Sequence, residues 1–164
     1  MPDLKNDLAD AAQAGDLDAV RRLLAGDTGW VNVPLEGGLT ALHYAAYFGH
    51  AELARYLLSL GADPAAATTD PLRATALHAA ASGGHVGVLE ALLAAGADPN
   101  ALQTGNWTPL HAAADRGQAA VVAPLRAAGA DLAIRSASGK TALMLAQEKG
   151  HSAVVTALAQ AGGA

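Results

Sequence analysis

Six histidines are the residues of this chain best suited to proton transfer or metal ligation, and no cysteine accompanies them. The absence of thiols removes disulfides, thiolate metal sites and a cysteine nucleophile. An imidazole metal centre would need several ligands converging within a few ångströms. A Ser-His-Asp triad would need one histidine in a setting unlike the others. Ser82 and Asp115 lie near histidines in sequence, but no nucleophile elbow and no Gly-rich phosphate loop stands beside them. The spacing points elsewhere. His43, His78 and His111 share one slot of a recurring pattern, and His50, His85 and His151 share a second, just after a glycine.

The pattern itself consists of TALHYAAYFGH from Thr40, TALHAAASGGH from Thr75, TPLHAAADRGQ from Thr108 and TALMLAQEKGH from Thr141, at separations of 35, 33 and 33 residues. Each stretch leads into a second apolar run closed by glycine, as in AELARYLLSLGADP and VGVLEALLAAGADPN. A fainter copy, NDLADAAQAGD from Asn6 followed by LDAVRRLLAGD, opens the chain. Self-similarity at this period marks stacked repeats.

Each copy reads as two helices. Thr40, Thr75, Thr108 and Thr141 stand where an N-cap belongs, with Asn6 in that role in the first copy. Pro109 suits a first helical position. Gly49, Gly84, Gly117 and Gly150 suit a left-handed stop. The second helices show one-sided apolar spacing, Leu53-Leu57-Leu60 and Val88-Leu92-Ala95, before Gly61 and Gly96. Paired alanines at 45–46, 79–80 and 112–113 predict close helix approach. No such pair can bury its own apolar face, so neighbours must cover it.

T-P-L-H-A-A-A-x-x-G, followed by a helix ending L-L-x-x-G-A-D-P-N, resembles the ankyrin repeat. The resemblance spans roughly residues 4 to 164, with units at 4–37, 38–72, 73–105, 106–138 and 139–164. It implies an all-α solenoid of stacked helix-turn-helix units with short hairpin or loop fingers. It also implies that His43, His78 and His111 are struts, hydrogen-bonded near the threonine cap and to neighbouring backbone. The second-slot histidines would cap the second helix or cover the turn. Like histidines would then sit about 10 Å apart, one helix spacing, too far for a shared metal.

The chain departs from the pattern in places. The finger DPAAATTDPLRAT is two residues longer than its counterparts. Pro124 falls inside the second helix of the fourth unit, where it should kink or shorten that helix and loosen the unit. Met144 replaces histidine in the last unit, which reads as a terminal cap.

Bulk properties bound the function. The 164 residues carry a net charge of −5, with no basic run. That argues against nonspecific nucleic-acid binding. No apolar stretch reaches the ~18 residues of a membrane span, and the first residues lack a signal peptide's basic and apolar regions. A soluble, cytoplasmic, monomeric protein is the expectation, with a weak compositional hint of a bacterial source. The acidic residues are dispersed, as on a solvated surface.

The resemblance places partners against the finger tips and the exposed positions of the first helices. Leu39, Trp107 and Lys140 precede their threonines; Tyr47 and Phe48, and Asp115 and Arg116, lie near first-helix ends. Exposed aromatics and arginine are what interface hot spots favour. Tyr44 and Tyr56 read as core, and Trp30 as a cover for the first unit. The function expected is therefore a non-catalytic protein-binding module without a cofactor or metal. A regulatory subunit or inhibitor of a catalytic complex is the alternative, with a hydrolase or a groove for a small molecule behind it.

Overall fold

The computed structural model describes residues 3–160. Among these, ten α-helices form five antiparallel pairs: α1 (Leu4–Ala14) with α2 (Leu17–Leu24), α3 (Ala41–Phe48) with α4 (Ala51–Ser59), α5 (Ala76–Gly83) with α6 (Val86–Ala94), α7 (Pro109–Arg116) with α8 (Val122–Ala127), and α9 (Ala142–Lys149) with α10 (Ser152–Ala159). The first helices stack in the order α1, α3, α5, α7, α9, and α4, α6, α8 and α10 form a second layer. Fingers join successive pairs. Two carry an isolated antiparallel bridge, Ala67 to Thr75 and Gln103 to Trp107.

One apolar core runs unbroken through all five pairs, from Leu8 to Leu158. Alanines line the helix contacts at 45–46, 80–81 and 113–114, all fully buried. In the third and fourth pairs this is one residue later than the sequence reading. Ala79 and Ala112 sit instead where Tyr44 sits in the second pair, turned toward the finger side. The outer helices bury Leu53, Ala54 and Leu57, and Val88, Leu89 and Leu92; Ala95 is an exposed C-cap.

Local chemistry sets the helix ends. Gly49, Gly84, Gly117 and Gly150 are left-handed C-caps. α1 begins a turn earlier than expected, because the Asp3 carboxylate caps it by accepting from Lys5 N–H. Asn6 lies inside the helix and donates its amide to Asp3 at 2.9 Å. Pro124 shortens rather than kinks its helix. A 3₁₀ turn, Ala119–Val121, precedes α8, whose six residues compare with nine in α6. Proline then sits in the first turn, where no N–H partner is needed. The expected glycine stop of the last unit lies outside the described residues.

Polar straps cross every boundary between the second and fifth pairs. Nε2 of His43, His78 and His111 meets the carbonyl of Ala74, Trp107 and Lys140 at 3.0–3.2 Å. A carbonyl only accepts, so Nε2 carries the proton and Nδ1 is bare. Nδ1 then accepts from the N–H of Thr40, Thr75 or Thr108, and lies 2.8–2.9 Å from the same threonine's hydroxyl. This reciprocal capping box ties each ring to its own unit while Nε2–H holds the next. In the last unit Met144 brings no ring, and the Thr141 hydroxyl caps the helix only by accepting from Met144 N–H, at 3.3 Å.

The second-slot histidines point the other way. None caps its helix with its ring; Nε2 of His50, His85 and His151 meets the carbonyl of Gln13, Tyr47 and Asp115 in the preceding pair, at 2.8–3.0 Å. Each ring lies across that pair's inter-helix turn. A Cβ on Gly49 would fall 2.6 Å from the His85 ring, so a bare backbone is required there for close approach as well as for its φ of 81°. Finger tips are also laddered: the N–H of Thr69, Thr104 and Ala137 donates to the carbonyl of Gly38, Leu72 and Gly105.

A fourth strap is incomplete. The amide of Asn32 donates to the Gly61 carbonyl and accepts from Asp63 N–H, and Asn100 does the same to Gly129 and Asp131. Ala65 fills this slot in the second unit, in the same Asp-turn that Asn100 adopts. Ala65→Asn therefore adds bonds to Gly96 and Asp98 and raises stability by about 0.5–1.5 kcal/mol. An unchanged urea midpoint would refute that strap.

His43, His78 and His111 are 1–2% exposed. Burial lowers the pKa of each below the ordinary 6.5, against the raising effect of the carbonyl bonds. Asp70 also raises that of His43, and His111 lowers that of His78. With depressed folded values the unfolded chain binds more protons below 6.5. Stability is thus complete above that pH and falls as pH drops toward 5, by at most about 1.4 kcal/mol per histidine per pH unit. In urea melts, the cost of His43→Gln, His78→Gln and His111→Gln shrinks from pH 7 to pH 5. A cost independent of pH would contradict burial of the neutral rings.

Candidate functional site

The first helices and fingers enclose a cleft of about 370 Å³. Five of the seven residues expected at a contact face line it: Leu39, Tyr47, Trp107, Asp115 and Arg116. Phe48 lies beside it, in a shallower hollow of about 240 Å³ with Leu39, Tyr44 and Tyr47. Lys140 lines neither; its amino group engages Glu148.

Why the cleft exists follows from three slots that recur in each unit. The slot before the threonine holds Leu39, Ala74, Trp107 and Lys140. The slots near the first-helix end hold Tyr47, Ser82, Asp115 and Glu148, then Phe48, Gly83, Arg116 and Lys149. The third unit is small in all three, between units that are large. Gly83 has its own reason to be bare, since a Cβ there would fall 2.4 Å from Nε2 of His85. The notch over Ala74, Ala79 and Ser82 is thus walled by Tyr47 on one side and Trp107 on the other.

The walls differ in freedom. Tyr47 is 63% and Phe48 41% exposed, and their rings meet edge-on at 5.1 Å. Trp107 is half-buried and packed on the core; its carbonyl takes the His78 strap and its ring lies 6.2 Å from that of His111. It is a wall and part of the frame. Tyr44 is half-buried rather than core, its hydroxyl donating to the Glu36 carbonyl. Burial raises its pKa above 10.0, with Glu36 and Asp10 adding to the effect. Tyr56 is likewise half-buried, beneath the Arg21 guanidinium at 5.3 Å. Trp30 packs against the core.

Sequence reasoning missed Leu72 and Asp70, both on the longer finger. Leu72 is 49% exposed and lines the cleft. Asp70 builds the finger: its Oδ1 accepts from the Thr68 hydroxyl at 2.6 Å and from the N–H of Leu72 and Arg73. The Thr68 bond, with help from those N–H groups, holds its carboxyl below the usual 3.8. The signal available was the Asp-Pro pair inside the two-residue insertion, a turn former between two threonines and a leucine.

The arrangement offers surface rather than reactivity. Both nitrogens of His43 and His78, which reach the cleft, are already hydrogen-bonded, so neither is placed to take a proton from Ser82. Among the described residues no group of three His, Asp or Glu converges as metal ligands would. No helix there is long and apolar enough to cross a membrane.

Comparison with known proteins agrees with the geometry. Over 53 residues, 32% of this chain, it is 45% identical to Myotrophin of Xenopus tropicalis, covering 44% of that protein. It is 43% identical over 53 residues to Palmitoyltransferase akr1 of Schizosaccharomyces pombe, covering 8% of it. The matched segment thus spans less than half the length of either relative. A family model for ankyrin repeats, in three copies, matches residues 8–103 and again 96–164. Five strapped helix pairs at one period, together with that match over nearly the whole sequence, show that the chain belongs to the ankyrin-repeat family.

Proposed function

We propose that the protein is a non-catalytic interaction module whose finger-side face binds a partner protein. Ankyrin repeats are protein-interaction modules. The observation that supports this reading most is the pair of exposed aromatics, Tyr47 and Phe48, beside a preformed cleft. Water-exposed rings at the edge of a concave site are available for burial by a partner. The cleft is held by the same straps that fold the chain, so little further ordering accompanies binding. Leu39, Trp107, Asp115 and Arg116 complete the contact set, with Lys140 at its rim. The palmitoyltransferase named above matches over 8% of its length, so that name lends no catalytic reading to this chain.

Affinity capture with the wild type and with Tyr47→Ala/Phe48→Ala tests the proposal. The double variant melts like the wild type, because both rings lie outside the core, and it binds its partner at least about tenfold more weakly. Equal capture by both proteins, or turnover of a substrate by the purified chain, would contradict the reading.

A further inference from the structure

The notch over the third unit is bounded by opposite charges. Asp70 stands on the finger side, and the ion pairs among the described residues do not involve it. Arg116 stands at the other end, as the last residue of α7, about 10 Å along the helix from its finger end. Its guanidinium side chain is 68% exposed and lies 3.8 Å from Asp115, whose carboxylate is closer to Lys149, at 3.1 Å. The ends of α7 and α9 thus hold Arg116 and Lys149 against Asp115 and Glu148; Glu148 engages Lys140, so Arg116 and Lys149 share the single carboxylate of Asp115. Between the two ends the surface is mostly apolar, formed by Leu72, Tyr47 and the Trp107 ring over small residues, with Gln103 and Ser82 among its polar members.

We propose that this cleft receives an extended segment of the partner protein in which one bulky apolar side chain lies between a basic residue and an acidic one. The apolar group, of leucine, methionine or phenylalanine size, fills the notch over Ala79 and Ser82. The basic residue meets Asp70 and the acidic residue meets Arg116. At about 3.3 Å per residue, an extended chain places the two charges roughly three to four residues apart. A volume of about 370 Å³ is at the small end for ligand sites and suits one or two side chains rather than a docked domain. This specificity rests on the interaction-module reading above.

Selection from a displayed library of random peptides on the full chain, followed by binding of the labelled winners, tests it. The expected consensus is a bulky apolar residue with a basic residue on one side and an acidic residue on the other, in one fixed chain direction. Ser82→Tyr fills the notch with a residue that the same slot already holds as Tyr47, so the protein folds and binding weakens about tenfold or more. Ala79→Leu, filling the notch from a neighbouring position, gives the same loss. Asp70→Asn keeps an oxygen to accept the finger's hydrogen bonds. It weakens peptides that carry the basic residue about threefold to fivefold and leaves their alanine counterparts unchanged. A consensus without a bulky apolar residue, flanking charges of one sign only, or binding indifferent to both notch-filling variants would overturn the proposal. If Tyr47→Ala/Phe48→Ala still abolished that binding, the broader reading would stand. Failure to enrich any peptide would overturn the extended-segment proposal, and the capture experiment would decide the broader one separately.

Discussion

Everything in this molecule depends on apolar helix faces that only the next helix pair can cover. The helices are six to eleven residues long, below the length at which an isolated helix persists in water. Ala45, Ala46, Ala80 and Ala81 are wholly buried because α3 and α5 close on each other through them. Close approach through alanine brings backbone carbonyls at the edges within reach of side chains from the adjoining unit. The histidines occupy those edges. One set reaches forward to the next finger and the other back to the preceding turn, so the polar groups bordering the core are joined across the same boundaries that the core crosses. Non-directional burial supplies the driving force, and the straps fix the register of the stack.

The same economy accounts for the face that carries the cleft. Once threonine, histidine, alanine and glycine are committed to joining units, few positions in each repeat are left free to vary. The slots of Leu39, Tyr47 and Phe48 are among them, and their contents change from large in the second unit, to small in the third, to charged in the fifth. A cleft then forms where a small unit lies between two large ones, without any departure from the regular backbone. Function, on this view, is written in the side chains that the fold does not need, which is why a common scaffold serves unrelated partners.

Much of this was legible in the sequence, and the limits have physical causes. Helix pairs, caps and glycine stops depend on contacts within three or four residues, so spacing reveals them: Thr40 with His43, and Gly49 at the end of α3. The direction of the His50 ring was not legible, because its acceptor lies 37 residues earlier, in another unit. The Asn32 and Asn100 straps escaped notice for the same reason. The start of α1 was misplaced because alignment to the later repeats favoured Asn6, whereas the Asp3 carboxylate was free to cap one turn sooner. The alanine contacts were displaced by one residue in two units because a run of three alanines has no internal landmark. Five of the seven contact-face candidates meet at one cleft, since slot positions in a repeat carry over between units. Leu72 and Asp70 lie in the inserted finger, where no other unit supplies a template.

The dependence of each pair on its neighbours is tested most directly by synthesising residues 73–105 alone and following their far-ultraviolet circular dichroism in urea. The account predicts a largely unfolded peptide with no cooperative transition. A sharp two-state melt of the isolated pair would contradict it.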